Sequence, residues 1–139
     1  MFITTETIRE KTSGDGDIID LTDKINSIID THKIQNGQTN IFSVGSTTAI
    51  THIEFEPGLK KDLPTILNEL IPYSRGWEHH KTWGDHNGAA HLKSAIIGPS
   101  LTIPIQDGKL MLGTWQQIVF LEFDDRPRDR KIVIQIIGD

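Results

Sequence analysis

Histidine is the residue type that stands out in this sequence, because four of its six histidines lie between His79 and His91. Neutral imidazole is the commonest protein ligand for zinc and similar ions, and Asp85 in the same segment can add an oxygen ligand. The spacing matches no short helical motif such as His at i and i+4. A loop that carries His79 and Asp85 and returns to His91 would build a site. A polar loop whose histidines face solvent is the alternative, and the residue types leave both open.

A glycine followed by three hydroxyl residues, Gly45-Ser46-Thr47-Thr48, marks a second candidate. A turn with exposed backbone N–H groups and hydroxyls can hold phosphate. The segment is not a P-loop, because Lys is missing from the required position. The start of a Thr-rich strand is the other interpretation. Ser100, which follows Gly98-Pro99, has a similar ambiguity because Gly-Pro is chiefly a turn signal.

Two further groups of residues have both a chemical and a structural interpretation. His52, Glu54 and Glu56 alternate, so in a strand they would share one face and present a base or a metal ligand, or simply face solvent. Trp115 lies two residues after Gly113 and beside two glutamines. It either belongs to the core or lines a pocket and stacks on the ring of a ligand.

Composition excludes or disfavours several classes of protein. The chain has no Cys, which excludes disulfides, thiolate catalysis and Cys-ligated zinc. Its 14 Lys and Arg against 19 Asp and Glu leave a net charge of −5, which disfavours a nucleic-acid partner. The basic stretch 126–131 is interrupted by an aspartate and is typical of a polar turn. No apolar run approaches the roughly 18 residues of a membrane span, and the first residues lack the features of a leader, so we expect a cytoplasmic protein with no membrane partner.

The pattern along the chain predicts one α+β domain over residues 1–139. Apolar residues at helical spacing predict a helix over 21–29 and a second one that begins near Asp62, with Pro64 in its first turn. The segment 73–88 shows little periodicity. Strands are predicted from β-branched or alternating runs at 2–9, 40–44, 49–55, 101–105, 110–112, 118–123 and 132–137. Asp107-Gly108 is a strong hairpin signal between two of them.

Several ordered blocks of residues resemble the signature of the YjbQ-like family, which is also called the secondary thiamine-phosphate synthase family. The blocks are Asn87-Gly88-Ala89-Ala90-His91-Leu92-Lys93-Ser94, Gly98-Pro99-Ser100-Leu101-Thr102-Ile103-Pro104-Ile105 and Gly113-Thr114-Trp115-Gln116. The match extends from Ser46-Thr47-Thr48-Ala49 to the terminal Ile137-Gly138-Asp139. Because several blocks occur in one register, the resemblance is more specific than any single motif.

The resemblance implies an α+β fold in which antiparallel sheets pack in a sandwich-like core with two or three helices. It also implies a homotrimer with a site near the subunit boundaries, and histidines gathered around a divalent metal such as Zn or Mg, or around an anion. Trp77-Glu78-His79 corresponds to the family's Tyr-x-His element, and Ala90-His91 to its Ala-His element. The resemblance therefore favours His79 and His91 as metal ligands and catalytic residues, with Asp85 and Asn87 orienting them.

The sequence departs from the family pattern at one position. Many bacterial members have His-Thr-Thr-Ala where this chain has Ser46-Thr47-Thr48-Ala49, so a third imidazole is missing. The Gly-Ser-Thr form resembles an archaeal-type branch. Either Glu54 or His52 supplies another ligand, or this branch binds metal weakly.

Three functions follow from the residues and the resemblance. The first is a transferase that joins a pyrimidine diphosphate to a thiazole phosphate. A small phosphorylated substrate would then be held by Ser46, Thr47, Thr48, Asn87, Lys93 and Ser100, with Trp115 packed on a ring. The second is a metal-dependent hydrolase in which Glu54 or Asp85 serves as ligand or base beside His79 and His91. The third is a non-enzymatic trimer that binds a small ligand or a metal.

Overall fold

The computed structural model describes the whole chain, residues 1–139, as eight strands and four helices. The strands are β1 (Phe2–Thr12), β2 (Ile18–Asp20), β3 (Gly37–Val44), β4 (Thr48–Ile53), β5 (Ser100–Gln106), β6 (Lys109–Leu110), β7 (Gln117–Glu122) and β8 (Arg128–Gly138). The helices are α1 (Thr22–His32), α2 (Pro57–Leu70), α3 (Glu78–Trp83) and α4 (Gly88–Ile97). None of the four helices combines the length and the hydrophobicity that a membrane span requires.

The strands form two antiparallel sheets. The larger has the order β1-β8-β3-β5-β6, and the smaller has the order β2-β7-β4. In β8 every second residue is buried, with Ile132, Ile134 and Ile136 fully inside, so the strand turns one face to the core. Asp107 and Gly108 both have positive φ, as the predicted two-residue hairpin between β5 and β6 requires.

The smaller sheet separates two apolar clusters and is therefore covered on both faces. One cluster lies between the sheets, where Phe120 of β7 packs with Ile134 of β8 and with Ile25 of α1. The other lies on the opposite face of β7, where Val119 and Leu121 pack with alanines of β4 and α4. This arrangement explains why β7 has an unbroken apolar run rather than an alternating one.

The α+β class with antiparallel sheets is confirmed, but there are four helices rather than two or three. The additional helices lie where the sequence shows little amphipathic periodicity. Helix α3 has six residues and buries none of them, whereas α4 begins with Gly88-Ala89-Ala90, all buried. Small residues that pack on all sides produce no apolar stripe, so the usual helix signal is absent.

The predicted start of the second helix is wrong by five residues. Helix α2 begins at Pro57, because the side chain of Glu56 accepts hydrogen bonds from the backbone N–H groups of Gly58 (2.8 Å) and Leu59. Such a cap satisfies N–H groups that have no partner within the helix. Pro64 consequently lies inside the helix and not in its first turn.

Candidate functional site

The histidine-rich segment folds into α3, a turn and the start of α4, and this path brings His79 next to His91. The two ring centroids are 4.5 Å apart. His79 lies on α3 and His91 on α4, and the chain reverses between the two helices at Gly84, whose φ of 69° ends α3. The sequence interpretation in which the segment returns His91 to His79 therefore describes the structure.

Two acceptors determine which nitrogen of His79 carries the proton. The Nε2 atom lies 3.2 Å from Oδ2 of Asp85 and 3.1 Å from Oδ1 of Asn87. The amide of Asn87 is oriented by its Nδ2, which donates to Oδ1 of Asp124 at 3.4 Å, so its oxygen faces the imidazole. Because both neighbours of Nε2 accept, Nε2 must be protonated, and Nδ1 keeps a free lone pair when the ring is neutral.

His80 has a positioning role that distinguishes it from its neighbour. Its Nε2 accepts a hydrogen bond of 3.0 Å from the backbone N–H of Gly88, the first residue of α4. A Cβ at Gly88 would lie 2.9 Å from Cβ of Trp77 and 3.0 Å from His80 Nε2. The absence of a side chain at Gly88 thus allows α3 and α4 to meet closely, and His80 satisfies a free N–H of the helix.

Behind the histidines lies a buried network of charges. Glu122 accepts two bonds from Nε of Arg130 (3.0 and 3.1 Å) and one from Nη2 (2.7 Å). Asp124 accepts from Nε (2.9 Å) of Arg128 and lies 2.7 Å from its Nη2. The hydroxyl of Thr47 accepts a 2.8 Å bond from Nη2 of Arg130 and donates to Oδ2 of Asp124 at 3.4 Å. Paired and hydrogen-bonded in this way, two carboxylates are held in a water-poor interior.

The environment of Asp124 strongly favours its charged form. Burial by itself would raise the pKa of Asp124, but hydrogen bonds from the backbone N–H of Asp125 and from Arg128 and Asn87 outweigh it. The pKa of Asp124 is therefore lowered to about 2. The carboxylate stays charged at neutral pH and keeps Asn87, and through it His79, in one orientation.

The hydroxyl residues after Gly45 differ in what they present to solvent. Ser46 is exposed, whereas Thr47 and Thr48 are buried. The hydroxyl of Thr48 bonds to that of Ser43, and Thr47 is engaged in the charge network. Of the three hydroxyl residues in this loop that were predicted to bind phosphate, Ser46 is therefore the one that is exposed to solvent. Ser100 is also exposed, where β5 begins opposite Phe42.

Lys93 has a different environment from the one expected of a phosphate-binding residue. Its side chain is only 1% exposed, and its ammonium donates to the Asn68 side chain of α2 and lies 4.0 Å from the ring centroid of Tyr73. Burial lowers the pKa of Lys93, although the charge of Asp15 opposes that effect. Burial, together with a hydrogen bond to Asp15, raises the pKa of Tyr73. In this arrangement Lys93 joins α4 to α2 and does not face the loop at Gly45.

Glu54 and Trp115 lie away from the histidines within one chain. In the ladder between β4 and β7, Thr48 pairs with Glu122, and Ile53 pairs with Gln117. Glu54 and Trp115 therefore lie near the Gln117 end of β7, whereas Thr47 and Asp124 lie near its Glu122 end. Six strand residues separate the two ends by about 16 Å. Trp115 is 70% exposed and is not a core residue.

Sequence reasoning missed the network around Asp124 and Arg130. The basic stretch 126–131 is predicted to be a polar turn, yet β8 already begins at Arg128, and both Arg130 and the preceding Asp124 are buried. One signal was present: Glu122 and Asp124, and Arg128 and Arg130, are each two residues apart, so in an extended chain each pair would share one face. Opposite charges repeated on such faces indicate pairing.

The side chains present do not form a complete metal centre within one chain. No group of three or more histidine, cysteine, aspartate and glutamate side chains is arranged to hold an ion. His79 and His91 supply two imidazoles, and Asp85 Oδ1 is buried without a hydrogen bond. Catalytic zinc takes three protein ligands and structural zinc four. A zinc ion here would need at least one ligand from outside this set.

Comparison with known proteins places the chain among similar sequences and structures. The family model described as UPF0047 protein YjbQ-like matches residues 6–139. A UPF0047 protein of Archaeoglobus fulgidus is 37% identical over 127 residues, which cover 91% of this chain and 96% of that protein. The UPF0047 protein YugU of Bacillus subtilis is 34% identical over 134 residues, or 96% and 98% of the two chains. A crystal structure of a YbjQ-like protein of unknown function from Sulfolobus solfataricus P2 superposes with a TM-score of 0.88 at 33% identity, covering 99% of this chain and 100% of that one.

The lowered pKa of Asp124 predicts a specific acid sensitivity. The carboxylate stabilises the fold above its unfolded pKa of about 3.8, and this contribution is lost as the pH falls toward the folded value of about 2. The difference in the free energy of unfolding between wild type and Asp124→Asn should reach roughly 2 kcal/mol near pH 6 and shrink between pH 4 and pH 2. Denaturant titrations across this range measure it, with exposed Asp62→Asn as control. A difference that does not vary with pH would contradict the assignment.

Proposed function

This chain belongs to the UPF0047 family of YjbQ-like proteins, and from that premise we propose that it is an enzyme that acts on a small phosphorylated molecule at the site formed by His79 and His91. The proposal is supported by the position of the imidazole pair at a half-buried location between α3 and α4. The hydrogen bonds from Asn87 to Asp124 and from His79 to Asn87 keep the ring of His79 in a single tautomer.

The observation that carries the proposal is the double contact of His79 Nε2 with Asp85 and Asn87. The hydrogen bond to Asn87 engages Nε2 and leaves Nδ1 to accept a proton, and the nearby carboxylate of Asp85 stabilises the charged ring that results. His79 would thus take up a proton through Nδ1. His91 lies 4.5 Å away between ring centroids, and would exchange protons with the substrate from the adjacent position.

The reaction that we favour is the transferase step that joins a pyrimidine diphosphate to a thiazole phosphate. A C–N bond forms as the C–O bond to the diphosphate breaks, and the bonding electrons leave with pyrophosphate. Negative charge develops on that leaving group, so donors aimed at its oxygens lower the barrier. In this proposal His91, the second N–H of the Asn87 amide and the exposed hydroxyl of Ser46 serve as these donors.

One observation favours a second candidate, a metal-dependent hydrolase. Asp85 Oδ1 is buried and has no hydrogen-bond partner in the chain. A buried carboxylate oxygen without a partner is costly unless a cation or a donor completes it. Zn or another divalent cation near His79, Asp85 and His91 would satisfy that atom, provided that further ligands come from solvent or from another copy.

We further propose that the protein forms a homotrimer. Helix α2 has no buried residue, and its Leu70 is 68% exposed. On α4, Ile96 is 69% exposed. Large apolar side chains left in water on neighbouring helices are typical of a surface that another protein covers. A second copy of the chain covers it in this proposal.

Replacing His79 tests the acid–base proposal. His79→Gln keeps an amide N–H near the position of Nε2 but removes the lone pair of Nδ1. We expect the melting temperature to stay close to that of the wild type, and product formation from the two phosphorylated substrates to fall by about 100-fold or more. His86→Gln, which changes a ring that faces His80 at 5.6 Å, is the matched control and should retain turnover. Undiminished turnover in His79→Gln would refute the role assigned to this ring.

The metal-dependent candidate predicts that bound metal depends on His91. Plasma mass spectrometry of untagged protein should find stoichiometric zinc or another divalent metal in the wild type and little in folded His91→Ala. Circular dichroism checks that the variant is folded. Metal-free wild type after purification in zinc-containing buffer, or equal metal in both proteins, would exclude this candidate.

The trimer proposal predicts a molar mass near three times 15.6 kDa by light scattering. Leu70→Glu should shift the mass toward that of the monomer, because a charge would be buried at the interface. Lys61→Glu, an exposed polar position on the same helix, is the control. Wild-type protein that elutes as a monomer at micromolar concentration contradicts the proposal, and an unchanged trimer in Leu70→Glu excludes this part of α2 from the interface.

A further inference from the structure

Arg130 uses only part of its guanidinium within the fold. The residue is 9% exposed, and its Nε and Nη2 atoms bond to Glu122 and Thr47. The third nitrogen, Nη1, makes no hydrogen bond within the chain. Two side-chain polar atoms are fully buried without a hydrogen-bond partner, Thr39 Oγ1 and Asp85 Oδ1, and Nη1 of Arg130 is not one of them. Because Nη1 has no partner either, it must be accessible to solvent. A rigidly held arginine therefore presents one free pair of N–H donors.

The free nitrogen faces the backbone of Gly45. A Cβ at this position would lie 3.1 Å from Nη1 and 3.4 Å from Oγ1 of Thr48. Gly45 is not among the glycines with positive φ, so its backbone conformation does not itself require glycine. What the missing side chain allows is a close approach of Nη1 to the backbone of Gly45, and the next residue, Ser46, is exposed.

From this geometry we propose that Arg130 Nη1 and the Gly45–Ser46 segment form the subsite that recognises the phosphate of the substrate. The inference rests on the function proposed above and names the group that the site holds. Arginine is suited to this role because its donors are fixed in a plane that matches an oxyanion, and its charge is permanent. Ser46 adds a hydroxyl donor beside it.

The subsite adjoins the histidines through a shared carboxylate. Thr47, next to Ser46, bonds to Oδ2 of Asp124, and Asn87, which orients His79, bonds to Oδ1 of the same group. The main-chain carbonyl of Thr48 also accepts from the hydroxyl of Ser94 on α4. A phosphate held at Arg130 would therefore lie beside a loop that is hydrogen-bonded to Asp124, the same carboxylate that orients His79 through Asn87.

The charge balance indicates what kind of binding to expect. Arg128 and Arg130 are matched by Glu122 and Asp124, so the surroundings carry no large excess of positive charge. Recognition then depends on directed donors and not on the general field of the protein. We expect binding of simple phosphates to be sensitive to the space at Gly45 and to a negative charge at Ser46.

The test uses the 139-residue chain and sodium pyrophosphate as the probe, with inorganic phosphate as a second probe, and measures binding by isothermal titration or ³¹P NMR. Gly45→Ala places a methyl group against Nη1 and should weaken pyrophosphate binding by about tenfold, the value of one charge-assisted hydrogen bond. Gly76→Ala is the matched control, because a Cβ at Gly76 meets nothing within 4 Å. It should bind like the wild type.

A second pair of variants keeps the test decisive if Gly45→Ala does not fold. Ser46→Asp introduces a negative charge at an exposed position and should abolish binding, whereas the neutral Ser46→Asn should retain most of it. Binding that is unchanged in both Gly45→Ala and Ser46→Asp would overturn the subsite, as would the absence of pyrophosphate binding by wild type at millimolar concentration. His79→Gln separates the two proposals, because it should bind pyrophosphate normally. Lost turnover with intact binding in this variant would support the role of His79 in the reaction. Lost binding in the Gly45 and Ser46 variants would support the phosphate subsite at Arg130.

Discussion

The rest of this structure depends on two buried carboxylates, Glu122 and Asp124, at the end of β7. Each is held by an arginine of β8, so the end of the small sheet is fixed to a strand of the large one. Removing one partner of such a pair leaves a charge without compensation in a place that water does not reach, which costs far more than an exposed ion pair contributes. The pairing therefore fixes how the two sheets meet.

One of these carboxylates, Asp124, positions both loops that border the site. Asp124 accepts from Asn87, which precedes α4, and from Thr47, which precedes β4. Neither loop buries enough apolar surface to hold itself in place, because α3 has no buried residue and Ser46 faces solvent. Hydrogen bonds to a single rigid acceptor replace the packing that would otherwise order them. A site built on that acceptor is organised before any ligand arrives.

Local rules predicted those parts of the fold in which a residue's partner is near in sequence. The alternation in β8, the helix α1 and the Asp107-Gly108 hairpin all depend on neighbours within a few residues. The start of α2 was missed because a Glu side chain served as the cap. The ion pairs of the charge network are also close in sequence, because Arg128 lies four residues after Asp124 and Arg130 eight residues after Glu122. What the local pattern does not give is the burial of the two carboxylates, which depends on distant segments such as Thr12, 110 residues from Glu122. Within the candidate site, His79 and His91 were found by residue type and resemblance, whereas Arg130 required the tertiary structure.

The geometry of β7 also limits what one chain can do. Its two ends point to different regions: the histidines, Thr47 and Asp124 lie at one, and Glu54, His52 and Trp115 at the other. A strand of six residues cannot be bent to bring these ends together without losing its ladder to β4. If Glu54 or Trp115 takes part in the chemistry of His79, it must do so from another copy. In the homotrimer proposed above, that copy would have to bring the Gln117 end of its β7 to the Glu122 end of this one.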